Sequence, residues 1–67
     1  MKPSWKDAPE WAQYLALDTL GGDWYWYQER PARYVKFWLP ILGKYCFACK
    51  DNGRTVYEVL IEKRPES

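Results

Sequence analysis

The stretch Trp24-Tyr25-Trp26-Tyr27, directly after Gly21-Gly22-Asp23, decides the fold. Successive side chains of a strand point to opposite faces, so Trp24 and Trp26 share one side and Tyr25 and Tyr27 the other. A small domain hides one such face in its core and seldom both, which leaves aromatic surface for a partner. A strand that starts at Trp24 also needs a neighbour, because a bare edge is a liability. Tyr14-Leu15-Ala16-Leu17-Asp18 supplies one, with a turn over residues 19–22 closing a hairpin. The rival reading is a helix through Leu17, with Trp11 and Leu15 on one stripe and Gly21 ending it. Ahead of either, Asp7-Ala8-Pro9-Glu10 reads as a helix start in which Asp7 and Glu10 cap each other's backbone N–H, giving at least one turn over residues 8–12.

Downstream, alternation places Val35, Phe37 and Leu39 on one side and Tyr34, Lys36 and Trp38 on the other, until Pro40 and Gly43 break the run. Tyr45, Phe47 and Cys49 then share a face, opposite Lys44, Cys46, Ala48 and Lys50. Asn52-Gly53 is a strong hairpin signal, since both residues accept positive φ. It leads into a last strand carrying Tyr57, Val59 and Ile61 on one face. The expected fold is therefore mainly β: a small, twisted antiparallel meander of four to five strands with a short N-terminal helical turn. Val35, Phe37, Leu39, Tyr45, Phe47, Tyr57, Val59 and Ile61 are its expected inward set.

With 67 residues, the chain forms a single small domain, residues 1–67, with 1–6 and 64–67 expected as loose ends. A chain of this size buries only about 60% of its unfolded surface, so the core is marginal. Five Trp, six Tyr and two Phe are its natural reinforcement, since each buries roughly 150–250 Å². Ten basic and nine acidic residues leave a net charge of +1, which fits neither a dedicated nucleic-acid binder nor an acidic DNA mimic. No apolar run is long enough for a membrane helix, and residues 1–7 lack a signal-peptide core, so a soluble cytoplasmic protein is expected.

Little in the chain suggests catalysis or a cofactor. Cys46-Phe47-Ala48-Cys49 is a CxxC, but zinc wants four ligands and the sequence has no His and no second Cys pair. Positions i and i+3 of a regular strand face opposite sides, which also argues against a disulfide. Reduced structural cysteines and no metal are expected. The carboxylates Asp18, Asp23, Glu29, Asp51, Glu58 and Glu62 are scattered, without the pairing that acid–base chemistry needs. No enzyme is expected. Tyr25, Tyr27, Tyr34, Lys36 and Trp38 instead form a mixed aromatic and cationic set of the kind found in binding hot spots.

Read together, Trp5-Lys6-Asp7-Ala8-Pro9-Glu10-Trp11-Ala12, Ala16-Leu17-Asp18, Gly22, Trp24-Tyr25-Trp26-Tyr27 and Pro31 resemble a family of small proteins of tailed bacteriophages and prophages. Its pattern runs W-x-D-A-P-E-W-A, a spacer, A-x-D, Gly, W-x-W and Pro, and the likeness covers about residues 5–31, with Thr19-Leu20-Gly21 in place of a more polar turn. The resemblance implies a non-enzymatic accessory protein acting in the cytoplasm of the infected bacterial host, where it binds and inhibits a host protein such as a defence factor. It transfers no catalytic residue. The expected partner is a host or phage protein, with self-association as a further option. A single-stranded nucleic-acid-binding module and a sponge for a nucleotide or other small signal are the alternatives.

Overall fold

The computed structural model describes residues 2–19, 21–34, 37–51 and 60–66. Among them are six short strands and one 3-10 turn, Trp5–Asp7. The strands are β1 (Tyr14–Asp18), β2 (Asp23–Tyr27), β3 (Ala32–Tyr34), β4 (Phe37–Leu39), β5 (Tyr45–Lys50) and β6 (Ile61–Lys63). All pairings are antiparallel. Four strands form one sheet in the order β5-β2-β1-β6, and β3 with β4 forms a separate two-stranded one. The mainly β class and the N-terminal helical turn are as the sequence implies. The strand order is not that of a simple meander, because β5 and β6 flank the β1–β2 hairpin from opposite sides.

That hairpin is built as its alternation requires. Leu15 pairs with Trp26 and Leu17 with Trp24, while Tyr14 faces Tyr27 and Ala16 faces Tyr25. Gly22 closes the turn at φ 71°, a conformation that costs a residue with a Cβ. Its N–H donates to the Asp18 carbonyl at 2.8 Å. The Trp24–Trp26 side is the core: Ala12, Leu15, Leu17, Trp24 and Trp26 are buried together, with Trp5, Ala8, Trp11 and Leu60 packed around them.

The N-terminal segment is the lid of this core. Trp5 lies with its ring centroid 4.9 Å from that of Trp26. Ser4 caps the turn, its hydroxyl accepting from Lys6 N–H at 3.2 Å. The turn thus begins earlier than the Asp7 cap the sequence suggests. The reason is Pro9, which disfavours helix at the residue before it. Ala8 accordingly sits extended at φ −72°, ψ 143°. A second bend follows, closed by Ala12 N–H on the Pro9 carbonyl at 3.0 Å.

The ends expected to be loose are tied down at three residues. Arg64 sends its guanidinium to the carbonyls of Pro9 and Ala12, at 3.1 and 2.7 Å, and stands over the Trp5 ring. Glu62 accepts from the Trp5 indole N–H and from Lys2, both at 2.5 Å. Each hydrogen bond to a charged group contributes about 1.5–3 kcal/mol where it is shielded, less where exposed. β6 therefore fastens the lid as well as extending the sheet.

Three expectations are corrected here. The run from Tyr34 to Leu39 is not one strand: Tyr34 pairs with Phe37 and Ala32 with Leu39, so the chain reverses between β3 and β4. Leu39 is consequently exposed. In β5, Tyr45 and Phe47 point outward while Cys46, Ala48 and Cys49 pack on the core. Both faces of this strand read as apolar, so alternation alone does not choose between them. The choice falls to volume, because small side chains fit beneath the two buried indoles and large rings do not. Ile61 pairs with Ala16 and is half-buried on the tyrosine side, away from the tryptophans. Val35, Lys36, Tyr57, Val59, the Asn52-Gly53 turn and the Phe37 side chain lie outside the described residues.

Candidate partner-binding surface

Turning Trp24 and Trp26 inward forces Tyr25 and Tyr27 to the opposite face. Strand pairing then extends this face sideways: Tyr14, Tyr27 and Tyr45 form one row, and Ala16, Tyr25 and Phe47 the next. The rings touch along and across the rows. Tyr27 stacks on Tyr45 with centroids 6.1 Å apart and planes 17° from parallel. Tyr25 meets Phe47 edge to face at 5.9 Å, and Tyr25 and Tyr27 lie 6.4 Å apart. Such aromatic pairs add about 0.5–1.5 kcal/mol beyond the area they bury.

The face is graded from dry to wet. Tyr27 is buried and its phenol pKa is pushed up to about 12, first by loss of water, then by the charge of Asp18 and by Tyr25 and Tyr45. Tyr25 is half-buried, whereas Tyr45 and Phe47 keep 55% and 54% of their surface exposed. The buried Tyr27 thus backs the exposed Tyr45 ring, and the half-buried Tyr25 backs that of Phe47. The segment leading into β5 carries Ile41 and Leu42, both well exposed. It is anchored by Gln28, whose N–H donates to the Lys44 carbonyl while its Oε1 accepts from Lys44 N–H. Gly43 is required here: its φ is 78°, and a Cβ would fall 2.8 Å from that same Oε1.

The five residues singled out by sequence are only partly brought together. Tyr25 and Tyr27 share the tyrosine face, but Tyr27 is a support rather than a contact. Tyr34 and Trp38 belong to the separate β3–β4 hairpin and lie on its opposite sides, because Trp38 pairs with Arg33 and Tyr34 with Phe37. Tyr34 is exposed beside Leu39. Trp38 is half-buried, its indole N–H donating to the Leu17 carbonyl at 3.0 Å under the Arg33 guanidinium, so it joins the hairpin to β1. Lys36 lies outside the described residues. Tyr45 and Phe47, which the sequence reading placed in the core, are the exposed rings. The signal that marks them is the small size of Cys46 and Ala48 opposite two tryptophans.

The cysteines do not lie on opposite faces. The pairing steps from Trp24–Cys49 to Tyr25–Phe47, a β-bulge that leaves Ala48 as an extra residue. The bulge restores Cys49 to the side of Cys46, which pairs with Trp26. Both cysteines are reduced and half-buried, and burial is the main influence raising their pKa. They border a cleft of about 630 Å³ between β5 and the N-terminal lid. Among the described residues, no three His, Cys, Asp or Glu side chains cluster as metal ligands, and no helix is long and apolar enough to cross a membrane.

Compared with known proteins, the chain matches no family model, no curated protein and no solved structure.

Proposed function

We propose that this chain is a non-enzymatic bacteriophage accessory protein that binds, and thereby inhibits, a protein of the bacterial host, a defence factor being the kind of target such proteins take. Its place of action is the cytoplasm of the infected cell. The observation that carries the binding reading is the pair Tyr45 and Phe47, two large rings held on an ordered strand by Tyr25 and Tyr27 yet more than half exposed. Rigid aromatic anchors of this sort dominate the energy of protein interfaces. The phage attribution rests on the W-x-D-A-P-E-W-A resemblance at residues 5–12.

The test is affinity capture from bacterial lysate with the wild-type chain and a Tyr45→Ala, Phe47→Ala variant. A partner retained by the first and lost by the second, with the variant still folded, supports the reading. Retention by both places the interface elsewhere. Gel shifts at low and high salt address the nucleic-acid alternative, since phosphate binding weakens steeply with salt and apolar protein contacts do not.

A further inference from the structure

We propose that β5 is a docking edge, at which the partner contributes an extended acidic–apolar segment as an added strand. This rests on the protein-binding reading above and specifies how the partner is held. β5 ends the sheet order, and among the described residues nothing pairs with its outer side. The neighbours of the undescribed stretch are tied at the turn end of the sheet, Asp51 N–H to the Gly22 carbonyl and Leu60 carbonyl to Leu17 N–H.

The ladder shows which groups the edge presents. Residues of an antiparallel pair alternate between bonding across and turning their N–H and C=O away. Gln28–Lys44 is a bonded pair at one end, with Gln28 N–H on the Lys44 carbonyl at 2.8 Å. Asp51 N–H on the Gly22 carbonyl, 2.7 Å, fixes the other end. Counting inward from both, Tyr45, Phe47 and Lys50 direct their backbone groups away from β2, and the bulge at Ala48 absorbs the odd residue. The two residues with exposed rings therefore also hold the outward N–H and C=O groups that no strand among the described residues takes up. An added strand meets hydrogen bonds and aromatic surface at the same positions, which is how strand addition combines affinity with side-chain selection.

Charge selects the occupant. Lys44 and Lys50 bracket the edge, and Tyr45-Cys46-Phe47-Ala48-Cys49 between them has no carboxylate. Lys50 is held by Asp23 at 3.4 Å yet its side chain is 66% exposed, so it can serve a second acid. A second copy of this chain would bring two more lysines to the same edge and no compensating charge along it. An extended segment with apolar residues in the middle and an acid at each end answers both features.

The probe is a synthetic peptide of alternating valine and tyrosine with a glutamate at each end, labelled for fluorescence anisotropy. Two controls carry lysine at the ends or N-methyl groups on alternate backbone amides. The acidic peptide is expected to bind, the lysine peptide to bind about tenfold or more weakly, and the N-methylated one not at all. Amide exchange at Tyr45 and Phe47 should slow on binding. Tyr45→Pro removes an outward N–H without touching the inner ladder, so it should stay folded and lose the peptide. Equal binding of the N-methylated peptide overturns strand addition. So does concentration-dependent dimerisation that Tyr45→Pro abolishes, which would make the occupant a second copy. A lysate partner retained by Tyr45→Pro but lost by Phe47→Ala leaves the aromatic surface standing and removes the edge. Loss of every partner by the wild type removes both.

Discussion

On one face of the four-stranded sheet, two tryptophans of β2 are sealed beneath the N-terminal segment. On the other, two tyrosines of the same strand are flanked by rings that stay wet. Both faces begin with the same kind of residue at the same spacing. What separates them is the remainder of the chain: Trp5, Ala8, Trp11 and Ala12 are laid over one side and fixed there by Glu62 and Arg64. The tyrosine side receives part of its cover from neighbouring rings and leaves Tyr45 and Phe47 of β5 exposed. In so small a domain, one closed face provides the stability and frees the other for contact.

The strongest way to break this contrast is to remove the closed side. Trp24→Ala should cost about 3–5 kcal/mol, because Trp24 is among the largest fully buried side chains. A domain of this size has a core worth only about 3–5 kcal/mol, so the variant should give no cooperative melt by circular dichroism. Arg64→Met should cost about 1–3 kcal/mol, since it strips the Ala12 carbonyl of its guanidinium donor and takes one of two donors from that of Pro9, while keeping a side chain over Trp5. The readout is the urea midpoint, together with faster proteolysis near residues 9–12.

pH should attack the two faces from opposite directions. Glu62 has its pKa lowered, chiefly by the Lys2 hydrogen bond and further by Trp5, against the opposing effect of burial. Its contribution is therefore complete above the ordinary carboxylate range and lost as pH falls through the lowered value. Acid should loosen the lid, and Glu62→Gln should flatten that part of the stability curve. Tyr27 behaves in the opposite sense. With its pKa raised from 10.0 to about 12, its contribution is complete below pH 10 and lost as pH climbs toward 12. A Tyr27→Phe variant should remove that alkaline loss.

The smallest expected effect is the sharpest comparison. Phe47→Ala should change stability by about 1 kcal/mol or less, because the ring is exposed and its backbone pairing survives. It should still weaken partner binding by about 2 kcal/mol or more if this ring is an interface anchor. A collapse comparable to that of Trp24→Ala would mean that the two faces are not distinct.

The β1–β2 hairpin and the inward tryptophans were legible because a single alternating run, a glycine turn and an apolar partner strand all agree. The orientation of β5 was not, since Tyr45-Cys46-Phe47-Ala48 offers apolar residues to both sides and the deciding factor is the volume of two tryptophans twenty residues away. Nor does alternation reveal an extra residue: the bulge at Ala48 changes the face of Cys49 and leaves no mark in the residue pattern. The stretch from Tyr34 to Leu39 misled for a different reason: its residues alternate as one strand would, yet the pairing of Tyr34 with Phe37 puts Tyr34 and Trp38 on opposite sides where one strand would put them together. The set expected to be exposed inherited both errors, gaining the half-buried Trp38 from the false strand and leaving out the exposed rings of Tyr45 and Phe47.

The Arg64 clamp also orders events in time. It joins groups 55 and 52 positions apart in the chain, whereas the β1–β2 hairpin closes over a short turn. Contacts so distant in sequence carry a loop-closure penalty that local ones escape, so they form late. The hairpin should nucleate the molecule with its indoles still in water, and the lid should latch last. Weakening the latch should then leave the folding rate almost unchanged and appear as faster unfolding. The seal over the tryptophans is thus a determinant of how long the native state lasts once reached, rather than of how quickly it is found.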